Sequence, residues 1–248
     1  MDTEQPPEQE NGINAAGKQS ISIFFPCYNE KDNIPGLVEK AINVLSGLAD
    51  DFEIILVDDG STDGTAELID SLALESEKIK AIHHKANAGY GAALQTGFRA
   101  ATKQLVFYTD GDGQFDIAEL AGIMPLIKQY DIVSCYRINR QDNLLRKLNA
   151  FCWTKLVCTL FGLKLKDIDC AFKLFKREIF DNIEMQSTGA LIDTEILTRA
   201  CRKGYTITQT GVNHYPRTAG AQTGANIAVI LRAFKELFEL RSRILSEK

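Results

Sequence analysis

From Ser20 onward the apolar positions change period in a regular way. Residues 21–25 form a short continuous apolar run. Ile34, Leu37, Val38, Ala41, Ile42, Leu45 and Leu48 then recur at the spacing of one helical face, which predicts a strand followed by a helix over 33–48. The alternation continues with a strand at 52–57, a helix at 62–74 entered through the turn Asp59-Gly60-Ser61, a strand at 79–82, a helix at 89–101 and a strand at 105–109. Strand–helix repeats of this length predict an α/β fold with a parallel sheet and helices on both faces. After a strand at 131–136 ending in Arg137 the rhythm changes. An amphipathic helix is predicted at 144–161, a strand at 171–175, a helix at 191–202 stopped by Lys203-Gly204, and strand-like alternation at 205–211. The chain closes with a helix at 225–245, where Ile227, Ile230, Leu231, Phe234, Leu237, Phe238 and Ile244 keep helical spacing. No segment repeats.

Residues 1–19 are polar and rich in Glu, Gln, Pro and Gly, too poor in apolar surface to offset the entropy of ordering. The expected layout is therefore a disordered tail over 1–19, one α/β domain over 20–224 and an amphipathic terminal helix over 225–248. A chain of 248 residues with 45% hydrophobic content is enough for a single core. Its net charge of −5 argues against a nucleic-acid partner, whose phosphates demand Lys and Arg. The six cysteines form no C-x-x-C pair and several lie in apolar runs, as expected of buried thiols in a reducing compartment. With no apolar leader in the first twenty residues and no run of ~18 uncharged apolar residues, the expectation is a cytoplasmic protein.

In open parallel sheets ligands bind beyond the carboxyl ends of the strands. Here those ends are polar: Pro26-Cys27-Tyr28-Asn29-Glu30, Asp58-Asp59-Gly60-Ser61, Asp110-Gly111-Asp112-Gly113-Gln114, and Arg137. Acidic groups gathered at one sheet edge repel unless a cation compensates them. Asp110, Asp112 and Gln114 offer oxygen ligands at alternate positions, a partial cage of the kind Mg²⁺ or Mn²⁺ accepts while leaving room for substrate phosphates. Standing alone, the run reads as a solvated Asp-Gly turn.

The whole set resembles glycosyltransferase family 2 with the GT-A fold, a Rossmann-like, mostly parallel sheet flanked by helices. Within it, the set resembles the branch that moves a sugar onto a polyprenyl phosphate, such as dolichyl-phosphate mannose synthase and bacterial undecaprenyl-phosphate glycosyltransferases. The resemblance covers about 20–240. It implies that Pro26, Tyr28 and Glu30 hold the nucleoside and that Asp59 receives the base beside Val57. Asp110, Gly111 and Asp112 would bind the diphosphate, with the metal on Asp110, Asp112 and Gln114, and Arg217 would be a late phosphate contact. Asp167-Ile168-Asp169-Cys170-Ala171-Phe172-Lys173 resembles the family's D-x-x-S-G-F-[RK] segment near the acceptor. Asp112, Arg137, Asp167 and Lys173 are thus implied to carry the transfer. The chain departs from the pattern at Cys170-Ala171, where the family has Ser-Gly, and at Thr223, where it often has a lysine.

A phosphate acceptor needs cations but no general base, because its oxygen is already anionic at neutral pH. Arg137, Lys173 and Arg217 then form the more telling constellation, and the expected reaction is inverting transfer of a hexose from a UDP- or GDP-sugar to a dolichyl or undecaprenyl phosphate. A hydroxyl acceptor would need a base, for which Glu195 is the candidate, although acidic residues at a helix start also simply complement its dipole. A nucleotide-sugar-binding subunit without catalysis is the third reading. His83 and His84 are adjacent, point to opposite faces on a strand and read as structural. Cys27 reads as packing. The helices at 144–161 and 225–245 combine apolar stripes with Arg146, Lys147, Lys155, Arg232 and Lys235, which suits either a membrane interface at the cytoplasmic face or packing on the sheet or another subunit.

Overall fold

The computed structural model describes residues 19–140, 144–217 and 227–247. The tail expected over 1–19 lies almost wholly outside the described residues, as does Thr223. The chain runs β1 (Ile21–Cys27), α1 (Ile34–Leu48), β2 (Phe52–Asp58), α2 (Thr65–Glu75), β3 (Ile79–His83), α3 (Tyr90–Ala100) and β4 (Leu105–Thr109). Short helical turns over 117–128, including α4 (Leu120–Ile123), lead to β5 (Ile132–Ser134) and β6 (Tyr136–Ile138). Then follow α5 (Leu144–Phe161), β7 (Phe172–Lys176), α6 (Ile179–Asn182), α7 (Ile192–Arg202), β8 (Ile207–Thr208), β9 (Gly211–Asn213) and α8 (Ile227–Ser246).

The main sheet has the order β3-β2-β1-β4-β7-β5-β8. Continuous apolar runs make β1, β2 and β4 central strands, buried on both faces. Right-handed crossovers place α1 and α2 on one face, and α3 on the other, because the chain reverses direction after β3. Gly97 lets α3 lie directly on β1: a Cβ there would come 2.2 Å from the ring of Phe24. Phe98 packs edge-on against Phe24 at 4.8 Å and Tyr108 at 5.5 Å.

Two expectations change. The strand at 171–175 is β7, which runs antiparallel between β4 and β5 and makes the sheet mixed. The strands expected at 131–136 and 205–211 are shorter, β5 and β8, and each is followed after a break by a second strand. β5 pairs with β8 in the main sheet, then β6 pairs with β9 in a separate two-stranded sheet. The two segments bend together, so Arg137 sits on β6 and not at the end of a main-sheet strand.

The sheet opens where the topology reverses. β1 and β4 pair only from Ile21 to Phe24 and from Leu105 to Tyr108. Beyond that point the ladder stops, since Pro26 has no N–H to donate and the acidic loop after β4 passes over the end of β1; this switch point is the crevice in which such sheets bind ligands.

Candidate active site

On one side of this crevice three loops are tied together. Asn29, in the left-handed region with φ 56°, donates its N–H to Ser61 Oγ at 2.9 Å and accepts from Thr62 N at 2.8 Å. Gly60 (φ +72°) lies so close to the third loop that a Cβ would meet the Ala86 backbone at 2.5 Å. Asp59 accepts from the N–H groups of Ala88 and Gly89 at 2.8 and 2.9 Å, and His84 Nδ1 lies 2.7 Å from the same carboxylate. Between these loops is an open pocket of about 630 Å³, lined by Tyr28, Asp58, Ser61, His83, Lys85 and Asn87 among others. Tyr28 is 42% exposed, whereas Val57 is wholly buried in β2. The histidines diverge as expected: His83 bridges Asp58 and Asp70, and His84 bridges Asp59 and Thr96.

The acidic loop crosses over the end of β1. Gly111 permits this, since a Cβ would come 2.9 Å from the carbonyl oxygen of Pro26. Burial, and after it the neighbouring Asp112, push the Asp110 carboxyl up to about 7, and burial also raises Asp112. Tyr90 donates to Asp110 Oδ1 at 2.9 Å, and Asp112 Oδ1 accepts from Gln114 N at 3.0 Å. Gln114 donates its side-chain N–H to the carbonyl of Tyr215 at 3.0 Å. Arg217 ties this loop to the first: it donates to Glu30 Oε1 and lies 3.7 Å from Asp112 Oδ2. Glu30 is itself raised by burial, while Asn33 and Arg217 pull it back.

Among the described residues no group of three or more His, Cys, Asp or Glu side chains gathers as a metal cage. The donor set is two carboxylates that repel each other in a partly buried loop, with an amide nearby. That chemistry fits a hard divalent cation whose other positions are filled by water and substrate oxygens.

On the far side, Arg137 and Asp167 form a two-point pair, Nε to Oδ2 and Nη2 to Oδ1, each at 2.7 Å. Burial disfavours both charges, but the pairing prevails, raising the guanidinium and lowering the carboxylate. Asp169 beside them is pushed up to about 6, chiefly by burial. Lys173 does not face a substrate. It is fully buried, and its ammonium reaches the carbonyls of Ile168 and Cys170, the hydroxyl of Tyr108 and the carboxylate of Asp193. Glu195 is also fully buried; it accepts from Gln186 N and Ser187 N and pairs with Arg199. The expected cationic slot is therefore a set of ion pairs, because an uncompensated buried cation is too costly to keep. Tyr90, Tyr108, Asp169 and Asp193 were not singled out from the sequence.

Residues 22–184 match the family described as "Glycosyl transferase family 2". The chain belongs to glycosyl transferase family 2. It is 34% identical over 163 residues to an undecaprenyl-phosphate 4-deoxy-4-formamido-L-arabinose transferase of Aeromonas hydrophila, covering 65% of this chain and 50% of that protein. It is 30% identical over 223 residues to glycosyltransferase AglD of Haloferax volcanii, covering 86% of this chain and 36% of that one. The chain thus spans half, or less, of the length of these relatives. Among solved structures, glucosyl-3-phosphoglycerate synthase of Mycobacterium tuberculosis, in complex with Mn²⁺, UDP and product, superposes with a TM-score of 0.67 at 19% identity, over 90% of this chain and 80% of that one. Mannosyl-3-phosphoglycerate synthase of Rubrobacter xylanophilus superposes with a TM-score of 0.69 at 17% identity, over 92% and 74%. These likenesses establish the GT-A fold of this glycosyltransferase.

Proposed function

We propose that this glycosyltransferase moves a sugar, with inversion, from a UDP- or GDP-sugar to a polyprenyl phosphate. The observation that carries the reading is the juxtaposition, at the β1/β4 crevice, of the mutually repelling Asp110 and Asp112 with Arg217. Asp110, Asp112 and, at the rim, Gln114 would hold Mg²⁺ or Mn²⁺; such a cation supplies neutralisation of the departing diphosphate. Arg217 lies where it can exchange its carboxylate partners for donor phosphate, and Tyr28 offers a ring face to the nucleoside. With both oxygens on the loop ahead of α3, Asp59 would shape the base pocket by fixing Ala88 and Gly89.

The acceptor assignment draws on what the relatives are named for and on the acceptor side itself. Arg137, held flat by Asp167, presents a guanidinium edge suited to a lipid phosphate, which attacks without losing a proton. The hydroxyl-acceptor reading loses its base, since both oxygens of Glu195 are engaged inside the protein. The hexose is the sugar inferred from sequence; the arabinose derivative in the name of one relative supports a pentose-derived donor as a second candidate. Among the described residues no helix is long and apolar enough to cross a membrane. Contact with the cytoplasmic membrane face is assigned to α5 and α8, which leave Leu148, Phe151 and Phe238 more than half exposed beside Lys155 and Lys235.

The test is conversion of polyprenyl phosphate by the purified chain with Mn²⁺ and labelled nucleotide sugars, of both hexose and pentose type. Asp112→Ala is expected to lower turnover by about 100-fold or more. Full turnover in that variant would sink the assignment of the acidic loop, and nucleotide binding without transfer to any acceptor would favour a non-catalytic subunit.

A further inference from the structure

Three buried groups, Tyr108, Asp193 and Lys173, lie between the two sides of the crevice without facing either substrate. The Tyr90 hydroxyl donates to Asp110 Oδ1 at 2.9 Å, and Asp110 follows Tyr108 by two residues at the end of β4. Tyr108 donates to Asp193 Oδ1 at 2.5 Å, and Lys173 Nζ lies 3.1 Å from that same oxygen and 3.2 Å from the Tyr108 hydroxyl. Lys173 then donates to the carbonyl oxygens of Ile168 at 3.1 Å and Cys170 at 2.5 Å. The contacts thus run from Tyr108, the strand residue two before Asp110, to the segment 167–170, whose Asp167 holds Arg137.

Stability alone does not account for these residues. A buried ion pair can often be replaced by apolar side chains of similar volume at no cost in stability. An apolar pair could not hold the carbonyls of Ile168 and Cys170, which lie in a segment with neither helix nor strand to fix it. The Tyr108 hydroxyl is itself placed by its ring, stacked on Phe24 at 5.5 Å and on Phe175 at 6.4 Å. Each link therefore has one position, and fully satisfied buried networks are rigid.

We propose that Lys173, Asp193 and Tyr108 are positioning residues, which set the distance between Asp110 on the donor side and the Asp167–Arg137 pair on the acceptor side. The catalytic consequence rests on the transferase reading above; the structural one does not. Misplacing reacting groups by about 1 Å costs on the order of 100-fold in rate while leaving binding to each side intact.

The test uses the double variant Lys173→Met/Asp193→Val, which removes both charges together, and Tyr108→Phe, which keeps the ring stack and removes the hydroxyl. Melting temperature, nucleotide-sugar affinity in the presence of Mn²⁺, kcat, and amide hydrogen exchange across 166–171 are compared with the parent. The expected result is a folded protein with donor affinity and KM close to the parent's, kcat lower by about 100-fold, and faster exchange across 166–171. Turnover close to the parent's in a folded variant, or unchanged exchange across 166–171, would overturn the proposal. If the double variant does not fold, Tyr108→Phe decides by the same readouts. If the parent fails to glycosylate polyprenyl phosphate, the function reading falls, while the exchange measurement still decides the coupling because it needs no acceptor.

Discussion

Buried carboxylates in this chain differ by what faces them. Glu53 accepts from Ser22 Oγ at 2.6 Å and Thr102 N at 2.7 Å, and pairs with Lys80 at 2.6 Å. Burial opposes its ionisation, but these partners outweigh it and bring the carboxyl from its ordinary 4.5 down to about 2. A folded-state value below the unfolded one means that the ionised form stabilises the fold above about pH 4.5. That contribution is lost as the pH falls through about 2. Glu53→Gln is expected to lower the melting temperature at neutral pH and flatten its decline between pH 4.5 and 2, as read by thermal melts across that range. Asp110 and Asp169, raised chiefly by burial, are the opposite case. The strand-end residues Asp110 and Asp112 stand out in the sequence because polar groups follow an apolar run, whereas Arg217 is marked only by the family resemblance. Asp193 does not stand out, since an acid in the first turn of a helix has an ordinary dipole role. Nor does Tyr108, which in an apolar strand looks like core.

At the level of elements, α3 is the piece that places Tyr90 against Asp110, and it does so through missing side chains. Its first turn is crossed by the segment 187–189, where a Cβ on Gly91 would meet the carbonyl oxygen of Ser187 at 2.5 Å, and its middle rests on Phe24 at Gly97. Gly97→Ala should overpack this contact and destabilise the fold by roughly 1–3 kcal/mol, measurable as a lower denaturant midpoint with unchanged slope. The sequence pattern placed the longer helices and the main-sheet strands, because periods of 3.6 and 2 are local properties, but not the short α4, α6, β6 and β9. It could not show that β7 runs antiparallel, since side-chain alternation is the same in both directions. It could not show either that the chain changes sheets after β5 and after β8, because that depends on β6 and β9 having each other as partners.

At the scale of the whole molecule, α5 and α8 lie against each other, with Trp153 edge-on to Phe234 at 5.5 Å and Arg241 donating to the carbonyl of Leu160. Leu237, Leu240 and Ile244 bury one side of α8, which leaves Phe238 outside the core. On the membrane reading, Phe151→Ser/Phe238→Ser should weaken cosedimentation with vesicles containing anionic phospholipid severalfold while leaving nucleotide binding unchanged; equal cosedimentation would count against that reading. By itself the sequence determined the α/β alternation, the family and the acidic strand ends, since these are written in local period and short motifs. Only the tertiary structure decided the state of the charges. Arg137, Lys173 and Arg217 look like free cations in sequence, yet each is set against a carboxylate far away along the chain. A buried charge persists only where folding brings it a partner.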